Sequence, residues 1–544
     1  MTSEPSYVAV AKLSELHEGS LKMVRVGNRR ICLVRLSTGV HALDSACPHE
    51  GYGLTQGDLV GDQLTCVWHN WKFRVTDGQC TQGEENVTSH HVRIEDDGTI
   101  NVALHRPEAE DLRPQLFASL RSGIERDYIG QVSRDVIRLL KVSANPGELV
   151  WEAVAFGAPR AEFGWGHSIA SATDALAMAD LYEGDQKALP IVQAIAGVSE
   201  SERSRPVEPL PDPINPPAFG GEELFRSLVE TEQLEKAQAV LRGAIHDGLA
   251  AGDLQRWFTN VVSDHHLSYG HGAIYVQKAF ELLAMIGWER ADTVLPYLVP
   301  TIVYGTREDK LPYMKPFMKN LATVDLSGLA VIPESSSWEG RDDLVEQLLG
   351  KDRSRAFNRT IEALQQGSGV HGILDAAVLA TSARLLRYDT CGERDFPDDF
   401  NWLDITHGVT YAHAARWHYA ANPGPDTLRL ALFSTFLAFW TGRHEWHSTI
   451  DQPALVEPMS SDLQTYGNLL QQFALQDPAA ALIAQVHAIK SSRAASIESL
   501  RLNSSLPLLA TQRFIEGPKQ ERFVAATVAR SLAFLNGKST RDHD

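Results

Sequence analysis

Two hydrophobic periods divide the chain. From about Tyr7 to Leu104 the apolar residues come in short runs broken by turn signals: Met23-Val24-Arg25-Val26, then Gly27-Asn28, then Ile31 to Leu36, then Ser37-Thr38-Gly39. Asp77-Gly78 and Asp96-Asp97-Gly98 are further hairpin signals in the same stretch. Short alternating runs between such turns predict a small all-β domain. Beyond it the period changes. Gln115 to Leu140, Glu222 to Leu249, Ile274 to Ile286, Leu344 to Gln365, Ile373 to Leu386, Leu428 to Trp440 and Glu521 to Leu535 carry apolar residues at i, i+3 and i+4, which predicts helices. Strand signals are nearly absent there. The expected fold is therefore multidomain, a small all-β domain followed by a large all-α, histidine-rich one.

The polar, proline-bounded stretch His105 to Pro114 predicts the linker, giving a division into residues 1–104, 105–114 and 115–544. Pro206 to Pro217, PVEPLPDPINPP, marks an internal break near residues 205–220.

The β part carries the strongest chemical signal. Cys47-Pro48-His49 and, sixteen residues on, Cys66-Val67-Trp68-His69 supply two thiolates and two imidazoles from two short loops. A tetrahedral zinc ion accepts the same donors. Zinc fingers, however, usually group their two Cys and their two His, whereas each loop here holds one of each. The stretch resembles the Rieske family, with Gly51 and Leu54 after the first pair and Trp71 and Phe73 after the second. The resemblance implies a [2Fe–2S] cluster with Cys47 and Cys66 on one iron and His49 and His69 on the other. High-potential Rieske proteins carry one extra Cys per loop, joined in a disulfide, and these are missing here. The resemblance thus points to the ferredoxin and ring-hydroxylating oxygenase branch. Asn70 stands where many relatives have Gly.

Length and charge narrow the rest. A chain of 544 residues exceeds one ordinary core, so two or three domains are expected. Its 50 basic and 69 acidic residues, net −19, argue against nucleic acid or an anionic membrane as partner. Apolar runs such as Leu430 to Trp440 are about half the length that crosses a bilayer. The N-terminus shows no basic-then-apolar signal, so a cytoplasmic protein is expected. Of five cysteines, Cys32, Cys80 and Cys391 stand outside the ligand pairs, an odd set that fits a reducing compartment.

The helical part repeats a histidine setting. The local sequences ending in His167, His271, His371 and His413 share a small or hydroxyl residue, often an aromatic, a small residue, the His and another small residue. Two of them add a second histidine six residues earlier, His265 and His407. Glycine before a histidine at a helix start allows close backbone approach. Four such helices around one axis would aim their imidazoles at a common metal, with neutral nitrogen donors that suit iron, copper, zinc or nickel. Any one of these histidines could equally be a hydrogen-bonded core or capping residue. Asp375, four after His371, and Asp404, three before His407, are candidate catalytic carboxylates, ligands or imidazole partners.

Ring-hydroxylating oxygenases of the Rieske type hold iron with two His and one Asp, and Asp264-His265-His266 with His271 looks like a distorted version of that motif. Their catalytic domain is a helix-covered sheet, whose strands this sequence lacks. His246-Asp247 is a weak metal dipeptide, and His444-Glu445-Trp446-His447 closes one residue too early for the i, i+4 histidine pair of the zinc-protease motif, leaving His444 as a spare ligand.

No dinucleotide or phosphate loop is present, so an external reductase or ferredoxin is the expected electron donor. The sequence supports a Rieske-dependent non-haem metal oxygenase using dioxygen on a small organic substrate, with a second metal, iron, in the helical part. The alternative is a non-catalytic electron carrier whose helices are a docking scaffold. A homo-oligomer is compatible with either.

Overall fold

The computed structural model describes residues 6–83, 85–105, 109–215, 220–390, 401–443, 445, 462–476, 481–519, 528, 531–532 and 535–536. The chain forms two compact units, one of residues 1–123 with 128–143 and one of residues 124–127 with 144–544.

Among its described residues the first unit contains ten strands, β1 (Val8–Lys12), β2 (Leu21–Val26), β3 (Arg29–Leu36), β4 (Gly39–Asp44), β5 (Asp58–Val60), β6 (Gln63–Thr65), β7 (Lys72–Arg74), β8 (Cys80–Gln82), β9 (Ser89–Ile94) and β10 (Thr99–Ala103). They build a six-stranded sheet of order β1-β10-β9-β4-β3-β2 and a four-stranded sheet β5-β6-β7-β8. Gly27 takes a φ of 59° in the two-residue turn closed by the Val26–Arg29 pair, a conformation glycine adopts without steric cost.

Strand β3 runs apolar on both faces because it separates two cores. Ile31 and Leu33 face Val24, Val26, Ile100 and Val102, while Cys32 and Val34 face Leu43, Leu54, Leu64, Phe73, Cys47 and Cys66. The expected all-β domain followed by a helical region is thus the observed fold.

The sequence pattern runs as one helix from Gln115 to Leu140, but two form, Ala109–Glu125 and Ile129–Lys141. Asp127 sits in the left-handed region at φ 55°, which no helix can continue through. The first begins inside the stretch expected as linker and accommodates Pro114.

The second unit is helical, and among its described residues the β pairing is a single bridge, Leu267 to Arg307. Glu222–Leu249 divides into Gly221–Glu230 and Leu234–His246, and Leu344–Gln365 into Arg341–Leu349 and Arg353–Gln365. The first division falls at Glu232, left-handed at φ 56°. The second falls at Gly350 to Asp352, where the Asp352 side chain caps the new helix by accepting from Arg355 N–H at 3.1 Å. Pro206 to Ile214 holds no regular element. Most of Glu521 to Leu535 lies outside the described residues.

The centre of this unit comprises the helices His167–Met178, His271–Ile286, Gly369–Arg387, Trp402–Ala421, Pro425–Trp440 and Leu482–Leu502, which are apolar on nearly every side because each is surrounded. Gly369–Arg387 is long and apolar enough to cross a bilayer, yet 72% of that window is packed inside the unit.

Candidate metal centres

The two cysteine–histidine loops adopt the same turn. In the first, Cys47 N–H donates to Tyr52 O and Gly51 N–H to Cys47 O, both at 2.8 Å; in the second, Cys66 N–H donates to Trp71 O at 2.8 Å and Asn70 N–H to Cys66 O at 2.9 Å. Gly51 (φ 78°) and Asn70 (φ 60°) hold the equivalent left-handed position. Asparagine tolerates that conformation better than other residues with a side chain, so the Gly-to-Asn departure leaves the loop intact.

The donors meet in two pairs, thiol with thiol and imidazole with imidazole, and Glu50 joins His49 and His69 within 4.8 Å. Cys47 and Cys66 are buried and their thiols are hydrogen-bonded to each other, while burial, with the Cys66 neighbour adding to it, pushes the Cys47 thiol up to about 12. The rings of His49 and His69 meet edge to face at 4.4 Å, and His49 stacks on Trp71 at 4.8 Å. His49 Nδ1 is buried without a hydrogen-bond partner in the chain, a polar atom left to coordinate. Both sulfur donors lie inside and His69 at the exposed edge, so thiols and imidazoles form separate pairs, the division that the two irons of a Rieske cluster require.

The Rieske [2Fe-2S] domain model matches residues 6–94. Residues 6–94 are a Rieske [2Fe-2S] domain. The ferredoxin component of the alkene monooxygenase system of Xanthobacter autotrophicus is 36% identical over 74 residues, 13% of this chain and 61% of that protein. The 4beta-methylsterol monooxygenase of Methylococcus capsulatus is 40% identical over 75 residues, 14% of this chain and 20% of that protein. The chain thus spans less than two thirds of either curated relative. Among solved structures, the ferredoxin of carbazole 1,9a-dioxygenase from Nocardioides aromaticivorans matches with a TM-score of 0.18 at 25% identity, covering 18% of this chain and 99% of its own. The Rieske domain implies a [2Fe–2S] cluster and electron transfer, and Cys47, His49, Cys66 and His69 are the donors its two loops present. It leaves the helical unit to be read from its own residues.

In that unit, His167, His271 and His407 each offer a ring nitrogen within 4.8 Å of the others. His167 and His271 are the first residues of their helices, and His407 lies in the Trp402–Ala421 helix. Gly270, left-handed at φ 89°, lets His271 start its helix against Tyr411, whose ring a Cβ would meet at 2.4 Å. A fourth imidazole joins them. His487, in the Leu482–Leu502 helix, lies with its ring centroid 4.3 Å from that of His167 and 5.2 Å from that of His407.

Hydrogen bonds fix how these rings present themselves. Nδ1 of His407 meets Leu403 O, Nδ1 of His487 meets Ile483 O at 2.7 Å, and His271 is bonded to the Ser268 backbone. Donation from Nδ1 to a carbonyl leaves Nε2 as a lone pair, the tautomer that binds metals. Nε2 of His487 is buried with no partner. Burial lowers the pKa of all four, that of His407 to about 3, so they are neutral donors. His167 Nδ1 lies 3.1 Å from Tyr275 Oη and 2.7 Å from Lys490 Nζ. Burial pushes the Lys490 ammonium down to about 7.

The other expected ligands do not join this group. His413 Nδ1 pairs with Glu498 Oε1 at 2.9 Å, and His371 Nδ1 lies 3.0 Å from Arg416 Nη1. His407 and His413 share one helix six residues apart, so they differ by about 120° in direction and about 9 Å along the axis. His265 has both nitrogens engaged, with Asp309 at 2.9 Å and Glu230 at 2.7 Å; burial opposes its charge, but the two carboxylates outweigh it and raise its pKa. Asp375 pairs with Arg416 at 2.8 Å and with Arg501. Asp404 accepts from Asn401 N–H at 2.9 Å in a capping box. Asp264 is bound by Arg226 and Arg429, and His246 by Asp292 at 3.0 Å. His444 and His447 lie outside the described residues.

Proposed function

We propose that the protein is a Rieske-dependent non-haem oxygenase, in which the Rieske cluster passes single electrons to an iron held by His167, His271, His407 and His487, and a small organic substrate is oxidised with dioxygen. The observation that carries this reading is the meeting of four neutral imidazoles from four helices, three of them fixed in orientation by backbone carbonyls. Nε2 of His407 and Nε2 of His271 lie 2.7 Å apart, close enough for both to bind one cation, and neutral imidazoles so grouped are the donors a metal site needs.

A centre fed with single electrons needs an ion with two accessible oxidation states, which excludes zinc and leaves iron and copper among the common imidazole-bound ions, and iron is the metal this reading takes. Bound there, the iron would supply one-electron dioxygen chemistry. The chain's part is to orient the donors through Leu403, Ile483 and Ser268, and to hold a titratable proton on Lys490 beside His167 Nδ1. The Xanthobacter and Methylococcus relatives, a monooxygenase-system ferredoxin and a monooxygenase, support the pairing of such a domain with dioxygen chemistry. An external reductase or ferredoxin completes the scheme.

The test is oxygen uptake by the full chain, chemically reduced, against a panel of small aromatic and polycyclic substrates. Uptake that His271→Ala abolishes while the Rieske electron-resonance signal persists is the expected result. Reduced wild-type protein that consumes no oxygen with any substrate, yet passes electrons to an added oxygenase, identifies a carrier instead.

A further inference from the structure

The helix Ile129–Lys141 lies beyond the residues that match the Rieske model, yet it belongs to the same compact unit and reaches the cluster's ligand loop. Arg134 Nη1 donates to the carbonyl oxygen of His49 at 3.3 Å, and Arg134 Nε donates to Glu85 Oε2 at 2.7 Å. Arg138 Nη1 reaches the other oxygen of the same carboxylate at 2.5 Å and Asp135 Oδ1 at 3.1 Å. Asp135, fully buried, accepts in turn from Ser119 Oγ at 2.6 Å. Tyr128, just ahead of the helix, sets its ring 6.4 Å from that of His49 and 6.2 Å from that of Trp71.

The guanidinium is held between Glu85 and the His49 carbonyl. Its Nη2 is buried with no partner in the chain, and it lines a cavity of about 440 Å³ together with Cys47, Pro48, His49, Arg29 and Asp44. Glu85 is itself nearly buried, with its side chain 8% exposed. An ordinary surface ion pair would not need a carboxylate buried to that degree, shared by two arginines, one of which is spent on a ligand's carbonyl.

We propose that Arg134 is a positioning residue that tunes the Rieske cluster, raising its reduction potential through the His49 peptide while Glu85 offsets part of that effect. A guanidinium keeps its charge throughout the working pH range. Reduction adds an electron to the cluster, so a fixed cation a few bonds from an iron ligand stabilises the reduced form, and a nearby anion does the reverse; charge and hydrogen bonding around the ligands are among the levers that set such potentials. The helix thereby makes the potential of this domain depend on residues outside the domain itself.

The experiment is a potentiometric titration of the full chain, followed by the electron-resonance signal of the reduced cluster, for wild type, Arg134→Gln, Arg134→Lys and Glu85→Gln. Arg134→Gln should lower the midpoint, Glu85→Gln should raise it, and Arg134→Lys should fall between wild type and Arg134→Gln, with the signal's intensity retained. A residue that only packs the helix would change stability without moving the midpoint in opposite directions for the two charges. Midpoints that do not move, or that move the same way in Arg134→Gln and Glu85→Gln, overturn the proposal. Should Arg134→Gln lose the cluster, the sign of the Glu85→Gln shift still decides it.

Discussion

The Nε2 atoms of His271 and His407, 136 residues apart in the chain, lie 2.7 Å from each other. Neither ring has a charge to hold them so close, since burial keeps both neutral. The proposed second centre is built on this pair, and the behaviour of its neighbours can be told apart by substitution.

His487→Ala should remove the metal of the helical unit and leave the Rieske signal unchanged, because His487 Nε2 has no other partner. His413→Ala should leave that metal in place, since His413 is committed to Glu498. Metal content of the two purified variants checks both, and equal losses would contradict the division of the histidines into separate groups.

Replacing His49 or His69 by Ala should abolish or alter the Rieske electron-resonance spectrum, whereas Cys32→Ala should not. Cys32 is as buried as the ligand cysteines and packs in the same core. Burial pushes its thiol up to about 12, and it is an apolar filler there. An unchanged spectrum in His49→Ala would contradict the ligand assignment.

Glu498 is fully buried and accepts from His413 at 2.9 Å, Arg416 at 3.2 Å and Arg501 at 3.2 Å. Removing one member of a buried charge group leaves the others uncompensated, at a cost of about 3–5 kcal/mol. Glu498→Ala should lower the denaturant midpoint of the helical unit by a corresponding amount, while the β unit's own transition stays where it is.

Burial raises the Glu308 carboxyl from its ordinary 4.5 to about 7, against the opposing hydrogen bonds from Tyr313 Oη and Tyr269 N–H. The folded chain thus keeps a proton that the unfolded chain releases. Stability from this group is full below about pH 4.5, falls as the pH rises to about 7 and is level above that, a total loss on the order of 3 kcal/mol. Glu308→Gln should remove this slope. Denaturant unfolding of wild type and variant at pH 5 and pH 8 reads the difference.

Much of this was legible in the sequence where chemistry and spacing coincide. The four cluster ligands stand out because both loops repeat one Cys–His pattern, and the change from period two to period 3.6 near Leu104 locates the change of architecture. The small-His-small setting finds His167 and His271, since each opens a helix behind a glycine, and the second histidine six residues before His413 finds His407. It misleads at His371, which lies against Arg416, and at His413, which is paired with Glu498. His487 carries no such setting: it stands between Val486 and Ala488 inside a helix. Its signal is the His487–Lys490 pair at i, i+3 in a segment rich in alanine and serine, which gains meaning only when three other imidazoles face it. Helix breaks at Asp127 and Glu232 were equally hidden, because a left-handed residue other than glycine leaves the apolar period undisturbed.

The central claim is that one chain holds two metal centres. Elemental analysis of the purified full chain, alongside His271→Ala, tests it most directly, because the cluster accounts for two irons and no more. About three irons per chain are expected in wild type and about two in the variant, with the Rieske spectrum equal in both. Two irons and no other metal in wild type, after expression with ample iron, would contradict it.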